Sequence, residues 1–546
     1  MTDFGTAGYP DLIELDKRLG DPLGFAAGTE RLYNTIYPGY NNVVRHLRVY
    51  SSLCWMARTV GESLKSDPPA SEAEANERQR CALEKIQMIF LWSNEGEVKG
   101  LQIAGASRKF PVTNELVRLQ FDELGGSADL MANVNYGPSI TNGLGFLNRE
   151  RLCTPAGEAL ATAFEENLPT DARLGWLRDV NILEARRSQI ERIKGALNLH
   201  APEKAEQAAF LAAFFPRKQA SLSGGRAKNR WSGIHLTLAS IAASSSSRAT
   251  EADIRGTMAR GVSPSGALVV KPGLEEIQSV WAILQLQQLQ RLAAETLFGA
   301  VLLWIQGNQG AGIDDCANAM RESAEREYQK RGITLSSDLE TFLKGFQGSE
   351  GSFYQAAARD PGTPADVLEH LNVVGRASSL QWTEGSCRAV AEAVTALTFV
   401  AMETLNLKRS DKHHNLLKEL SAERGSLLSM AGSQQRLRVE PVGQWIDHLV
   451  IDWTFARHFE VATSRSAAPN GQLRFAFTTG ENGLEMCGPR AAPFQPNFST
   501  DKLRHTLLLC IQCGLVHSAD VGDHTIYALT AAGRSRINSY EADREA

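Results

Sequence analysis

The stretch Thr500–Gly533, TDKLRHTLLLCIQCGLVHSADVGDHTIYALTAAG, decides how the chain is read. Leu503, Leu507, Cys510 and Ile511 recur at helical spacing, and Thr500 or Asp501 stands where a cap is needed. Cys513-Gly514-Leu515-Val516 stops that helix and begins a strand, glycine being the residue that tolerates a left-handed backbone at a helix end. Asp520 to Asp523 make a turn, Thr525 to Leu529 alternates like a returning strand, and Thr530-Ala531-Ala532-Gly533 opens a last helix. Helix, hairpin and helix in that order predict a winged-helix-like module.

The same order occurs once more, earlier in the chain. Leu144-Gly145-Phe146-Leu147 followed by Thr154-Pro155-Ala156-Gly157 echoes Cys513-Gly514-Leu515-Val516 followed by Thr530-Ala531-Ala532-Gly533, with a tight turn predicted at Asn148 to Arg151. Upstream, helices are expected over Thr29–Ile36, over Asn42–Leu64 with Asn41 or Asn42 as cap, and over Ser71–Trp92. In the centre, Val280, Ile283, Leu284, Leu289, Leu292, Leu297, Val301 and Trp304 spread apolar residues around the segment Leu274–Gln306, so that helix should be buried. The expected fold class is mainly α, a multi-domain helical protein with two winged-helix-like modules containing short β-hairpins. The texture changes suggest an N-terminal domain at 1–167 with a winged-helix-like module. A central helical domain at 168–436 with a basic loop and a C-terminal winged-helix domain at 437–546 would follow.

Bulk properties agree with several folded units. A chain of 546 residues exceeds one hydrophobic core, and at roughly 150 residues per domain it suggests three or four. Its 43% hydrophobic and 22% charged residues are ordinary globular values, which argues against wholesale disorder. The start, Met1 to Gly20, shows no secretory pattern, and Arg291 and Glu295 interrupt the apolar run that ends in Leu297–Ile305. A cytoplasmic protein without a membrane span is expected. Eight dispersed cysteines do not read as a disulfide framework.

No catalytic motif is legible, and neither catalytic residues, nor metal ligands, nor a cofactor are expected. The chain contains no Gly-Lys pair, which a phosphate-cradling loop of the GxxxxGK[ST] type requires. Gly307-Asn308-Gln309-Gly310-Ala311-Gly312 follows a helix and has the wrong spacing for a dinucleotide fingerprint, so it reads as a helix-ending loop. Cys510 and Cys513 form a CxxC, but both sit in or beside an apolar helix and no second pair exists. His413 and His414 read as a solvated helix start. Glu97-Val98-Lys99 matches the short half of a nuclease ExK motif without a strand to carry it.

Charge is informative locally. Net charge is only −5, yet Arg186 to Trp231 holds ten basic residues against three acidic ones. Within it Arg217, Lys218, Arg226, Lys228 and Arg230, with Trp231 to stack on a base, resemble a flexible nucleic-acid-binding arm. Lys502 and Arg504, at the start of the C-terminal module's helix, are further candidate contacts, whereas Asp520 and Asp523 make the wing acidic and favour protein contact there.

Asp21-Pro22-Leu23-Gly24-Phe25, the segment YNTIYPG from Tyr33 to Gly39, and NNVVRHLRVYSSLCW from Asn41 to Trp55 resemble the start of large uncharacterised bacterial proteins of defence-type gene neighbourhoods. YGPSITNGLGFL and LCTPAGEAL are similar to the same group. The resemblance covers about the first 165 residues. It implies a non-ATPase partner of a motor or nuclease and no catalytic residues. The resulting expectation is a non-catalytic adaptor or sensor subunit of a multi-subunit anti-phage or anti-plasmid complex, touching DNA without sequence preference. A metal-dependent nuclease assembled from distant carboxylates and a purely structural interaction subunit are the alternatives.

Overall fold

The computed structural model describes residues 21–41, 45–94, 115–119, 130–131, 136–170, 175–179, 181–200, 202–218, 222, 224–244, 248–263, 266–330, 332, 334–335, 338–348, 382–408, 411–420, 425–466, 475–487, 494–496, 501–522 and 524–545. These residues are mainly helical, with three small antiparallel sheets among them. The chain divides into two units, each assembled from discontinuous segments. One unit takes residues 33–254, 269–277 and 500–546, and the other 1–32, 255–268 and 278–499.

In the first of these, helices Leu47–Ser66, Glu72–Ser93, Pro155–Glu165 and Lys204–Phe214 pack on one another. The Glu72 helix starts where the sequence places it, because the Ser71 hydroxyl accepts the Glu74 amide at 3.2 Å. The preceding helix starts at Leu47 rather than at residue 42; residues 42–44 lie outside the described part. A fully buried ion pair ties this bundle together, Arg48 Nη2 to Glu206 at 2.5 Å. Glu206 also accepts from the Ser51 hydroxyl, the Asn167 amide and the Glu203 backbone, so the buried carboxylate is fully solvated by the protein.

The two sequence echoes are the same piece of backbone built twice. Gly145 and Gly514 both adopt the left-handed conformation, with φ of 71° and 70°. Nine residues after the first glycine and sixteen after the second a threonine returns: Thr154 Oγ1 donates to the Gly145 and Phe146 carbonyls, and Thr530 Oγ1 to those of Gly514 and Leu515. Each threonine then caps the following helix, accepting from Gly157 at 3.3 Å and Gly533 at 3.1 Å. Both glycines are required by space. A Cβ would lie 2.0 Å from the Phe146 carbonyl at Gly157 and 2.2 Å from the Leu515 carbonyl at Gly533.

What separates the copies is the hairpin. In the first copy strand pairing is a single bridge, Leu147 to Cys153. In the second, Val516–Val521 and His524–Leu529 pair in full register. A third strand, Arg248–Thr250, joins the free side of His524–Leu529, with Arg248 opposite Ala528. The C-terminal hairpin is thus completed by a segment from the middle of the sequence. Thr250 and Asp253 cap each other there and start helix Glu251–Arg260. The remaining sheet of this unit pairs Leu116–Arg118 with Glu184–Arg186.

The other unit is a helical assembly. Along helix Glu275–Gly307 the residues Val280, Ile283, Leu284, Leu289, Leu292, Leu297 and Val301 are buried, as their pattern requires. Arg291 and Glu295 are buried as well, neutralising one another at 2.7 Å one turn apart. Gly307 to Gly312 is a connection between two helices, and a hairpin, Phe477–Gly480 with Gly483–Met486, hydrogen-bonds onto it through Gly310, Ala311 and Leu484. Tyr328 and Trp445 bond Thr395 and Thr398 of helix Glu384–Lys408. That helix is long and apolar enough to cross a membrane, but 67% of its apolar window is buried within the protein.

Candidate nucleic-acid interface

The basic stretch begins where helix Lys204–Phe214 ends. Glu203 and Glu206 cap its start, and Phe210, Leu211 and Phe214 bury one face. The last carbonyls of a helix have no partner within it and carry partial negative charge. Here every one from Ala213 to Pro216 receives a side-chain donor. Arg230 donates to Ala213 at 3.1 Å and to Phe214 at 3.3 Å, Arg536 to Phe215 at 2.8 Å, and Trp231 Nε1 to Pro216 at 2.9 Å.

Arg230 and Trp231, expected to meet nucleic acid, are therefore interior residues at 3% and 1% exposure. Arg230 reaches also to the carbonyls of Pro38 and Gly143, closing a hub of four carbonyls around one guanidinium. Burial lowers its pKa, and the charge of Arg226 adds to that. The Trp231 ring packs against Phe215 at 5.4 Å and stacks on His235 at 5.0 Å. No base can stack there. Arg217 and Lys218, just beyond these held carbonyls, are exposed; residues 219–221 and 223 of the expected arm lie outside the described residues.

Gly224, with a φ of 85°, sets the entry to helix Gly225–Ala242. Arg226 and Lys228 in its first turn are exposed, and the helix N-terminus adds its own positive field. Arg217, Arg226 and Lys228 form no ion pair among the described residues. The stretch expected to be basic thus divides into an exposed set, Arg217, Lys218, Arg226 and Lys228, and the buried anchors behind it.

Lys502 is likewise an interior residue. It is 2% exposed, with its ammonium bonded to Asn34 Oδ1 at 2.5 Å and to the carbonyls of Tyr37 and Tyr40, over the rings of Tyr33 and Tyr40. It cannot meet phosphate without leaving these partners. Arg504 is exposed on helix Leu503–Gln512. Most of the rest of that helix is covered: Tyr40 bonds Thr506 at 2.6 Å, and Gln512 bonds the backbone of Arg45 and Leu47. Asp501 accepts the Leu503 amide, as its position suggested; Thr500 lies outside the described residues. Asp520 is on the hairpin and holds Thr525 at 2.8 Å, while Asp523 is outside the described residues.

Cys510 and Cys513 are buried free thiols, and burial pushes the Cys510 pKa up to about 12, away from the thiolate that binds metal. Among the described residues no three His, Cys, Asp or Glu side chains are grouped to hold a cation. Glu97-Val98-Lys99 lies outside the described residues. Arg536 was not singled out by sequence; only its spacing from Thr530 on the last helix marks it. No family model, no curated protein and no solved structure matches this chain.

Proposed function

We propose that the chain is a non-catalytic, nucleic-acid-associated adaptor or sensor subunit that contacts DNA through Arg217, Lys218, Arg226 and Lys228. The observation that carries this is the pinning of the 213–216 carbonyls by Arg230, Trp231 and Arg536. It presents a set of exposed cations from a fixed turn and a helix start. Exposed cations of this kind neutralise phosphate, and such contacts carry no sequence information.

The helix Gly225–Ala242, the strand Arg248–Thr250, the helix Leu503–Gln512 and the hairpin together read as one winged helix split across the sequence. Its would-be reading helix is bonded by Asn34, Tyr40 and Leu47, and Asp520 makes its wing acidic, which favours a packing or protein-contact role over groove reading. The resemblance of the N-terminal segments adds the setting: a bacterial defence complex in which an ATPase or nuclease partner supplies the chemistry.

The test is DNA binding as a function of salt for the wild-type chain and for R217Q/K218Q/R226Q/K228Q. Removing four phosphate contacts should flatten the slope of log affinity against log salt by about 3 to 4. A slope that does not change sinks the assignment of this surface.

A further inference from the structure

We infer that Cys54 and Cys153 form a reversible oxidation site, closing an intramolecular disulfide when the chain meets a peroxide. The two lie 99 residues apart in sequence and belong to the same unit, the one that holds residues 33–254. Cys54 is inside helix Leu47–Ser66 and fully buried. Cys153 closes the bridge to Leu147 directly before the Thr154 cap, and it is half-buried, which leaves it a path to solvent. Its Sγ donates to the Cys54 carbonyl oxygen at 3.2 Å, and the two thiols are within hydrogen-bonding reach of each other. The neighbouring Leu152 lies along the same helix, its Cδ2 3.7 Å from the place a Cβ would take at Gly61.

Both sides of this contact are held in place. The Thr154 amide donates to the Phe146 carbonyl at 2.9 Å, and Arg58 of the Cys54 helix bonds Thr162 and Glu165 of the helix that follows Cys153. A disulfide needs its two Cβ atoms about 4 Å apart, and thiols already in contact on fixed elements reach that by turning their side chains. The division of labour follows from exposure. Burial first, then the Cys153 thiol, raises the Cys54 pKa, so Cys54 stays protonated and shielded while Cys153 meets the oxidant. The Cys153 thiolate attacks the peroxide: an S–O bond forms, the O–O bond breaks, and hydroxide leaves behind a sulfenic acid. The Cys54 sulfur then attacks the Cys153 sulfur, the S–S bond forms as the S–O bond breaks, and the hydroxyl departs with the Cys54 proton as water. The two sulfurs are oxidised and the peroxide is reduced.

The experiment treats the full folded chain with a small excess of hydrogen peroxide, alkylates the remaining thiols in denaturant, and maps the peptides by mass spectrometry. The wild type should lose two alkylatable thiols and yield one linked pair of peptides, carrying Cys54 and Cys153 and lighter than their sum by two hydrogens. Dithiothreitol should restore both thiols. In C54A, with its partner gone, Cys153 should run on to sulfinic acid, whereas in C153A the buried Cys54 should remain alkylatable. Thermal melting establishes that each variant is folded, and the wild-type map decides the question even where a variant is not. Recovery of wild-type Cys153 as free thiol or as sulfinic acid beside a reduced Cys54, or a link from either residue to a different cysteine, overturns the inference.

Discussion

At the scale of single residues, the contrast is between cations that face water and cations that hold carbonyls. Arg230 satisfies four buried or part-buried carbonyls, two of them at a helix end, so Arg230→Met should cost about 3 kcal/mol by leaving them unpaired, read as a lower denaturant midpoint. Arg226→Gln, one turn earlier and exposed, should change stability by less than about 0.5 kcal/mol while weakening DNA binding. His46 provides a pH test. The Leu47 amide fixes the Gln512 carbonyl oxygen, which turns the Gln512 amide nitrogen toward His46 Nδ1 at 3.1 Å and requires a neutral ring. Burial first, then His200 and Arg45, lowers its pKa to about 4. The native state therefore binds fewer protons than the unfolded chain between about pH 4 and 6.5, and stability falls as pH drops through that window. His46→Gln should flatten the acid limb of a melting-temperature profile; an equally steep limb would show that other groups control it.

At the scale of elements, the duplicated glycine–threonine–glycine unit is where sequence and structure correspond most closely. Gly157→Ala and Gly533→Ala each force a methyl against a carbonyl oxygen, and each should lower stability by about 1–3 kcal/mol. Gly145→Ala meets open space and carries only the strain of a left-handed alanine, about 1 kcal/mol. Thermal melting of the three variants should therefore rank Gly145→Ala mildest. This unit was legible because its parts lie close in sequence and need a particular residue type at each position. The same holds for the Ser71 cap and for the apolar surface of Glu275–Gly307. The strand Arg248–Thr250 was not legible: three residues, without alternation, are a strand only because Tyr527 and Ala528 are beside them.

At the scale of the whole molecule, the discontinuous units make a prediction about fragments. Residues 437–546 expressed alone would lack Arg248–Thr250 and the Phe215 carbonyl that Arg536 holds. That fragment should show no cooperative unfolding transition by circular dichroism, whereas the intact chain should. A cooperative melt of the isolated fragment would contradict the discontinuous architecture. The two units draw on distant segments, and composition changes along a chain do not report which distant segments share a core.

Helix positions, the duplicated unit and the local surplus of positive charge were all settled by residues a few places apart, since caps, periodicity and left-handed turns are short-range effects. Which positive charges face solvent was settled elsewhere. Arg230, Trp231 and Lys502 read in sequence like their exposed neighbours Arg217, Arg226 and Arg504. They are interior because the carbonyls of Pro38, Tyr40, Gly143, Ala213 and Pro216 converge on them when the chain folds. Burial of a polar group is decided by partners arriving from far along the chain, and only the packed structure brings those partners together.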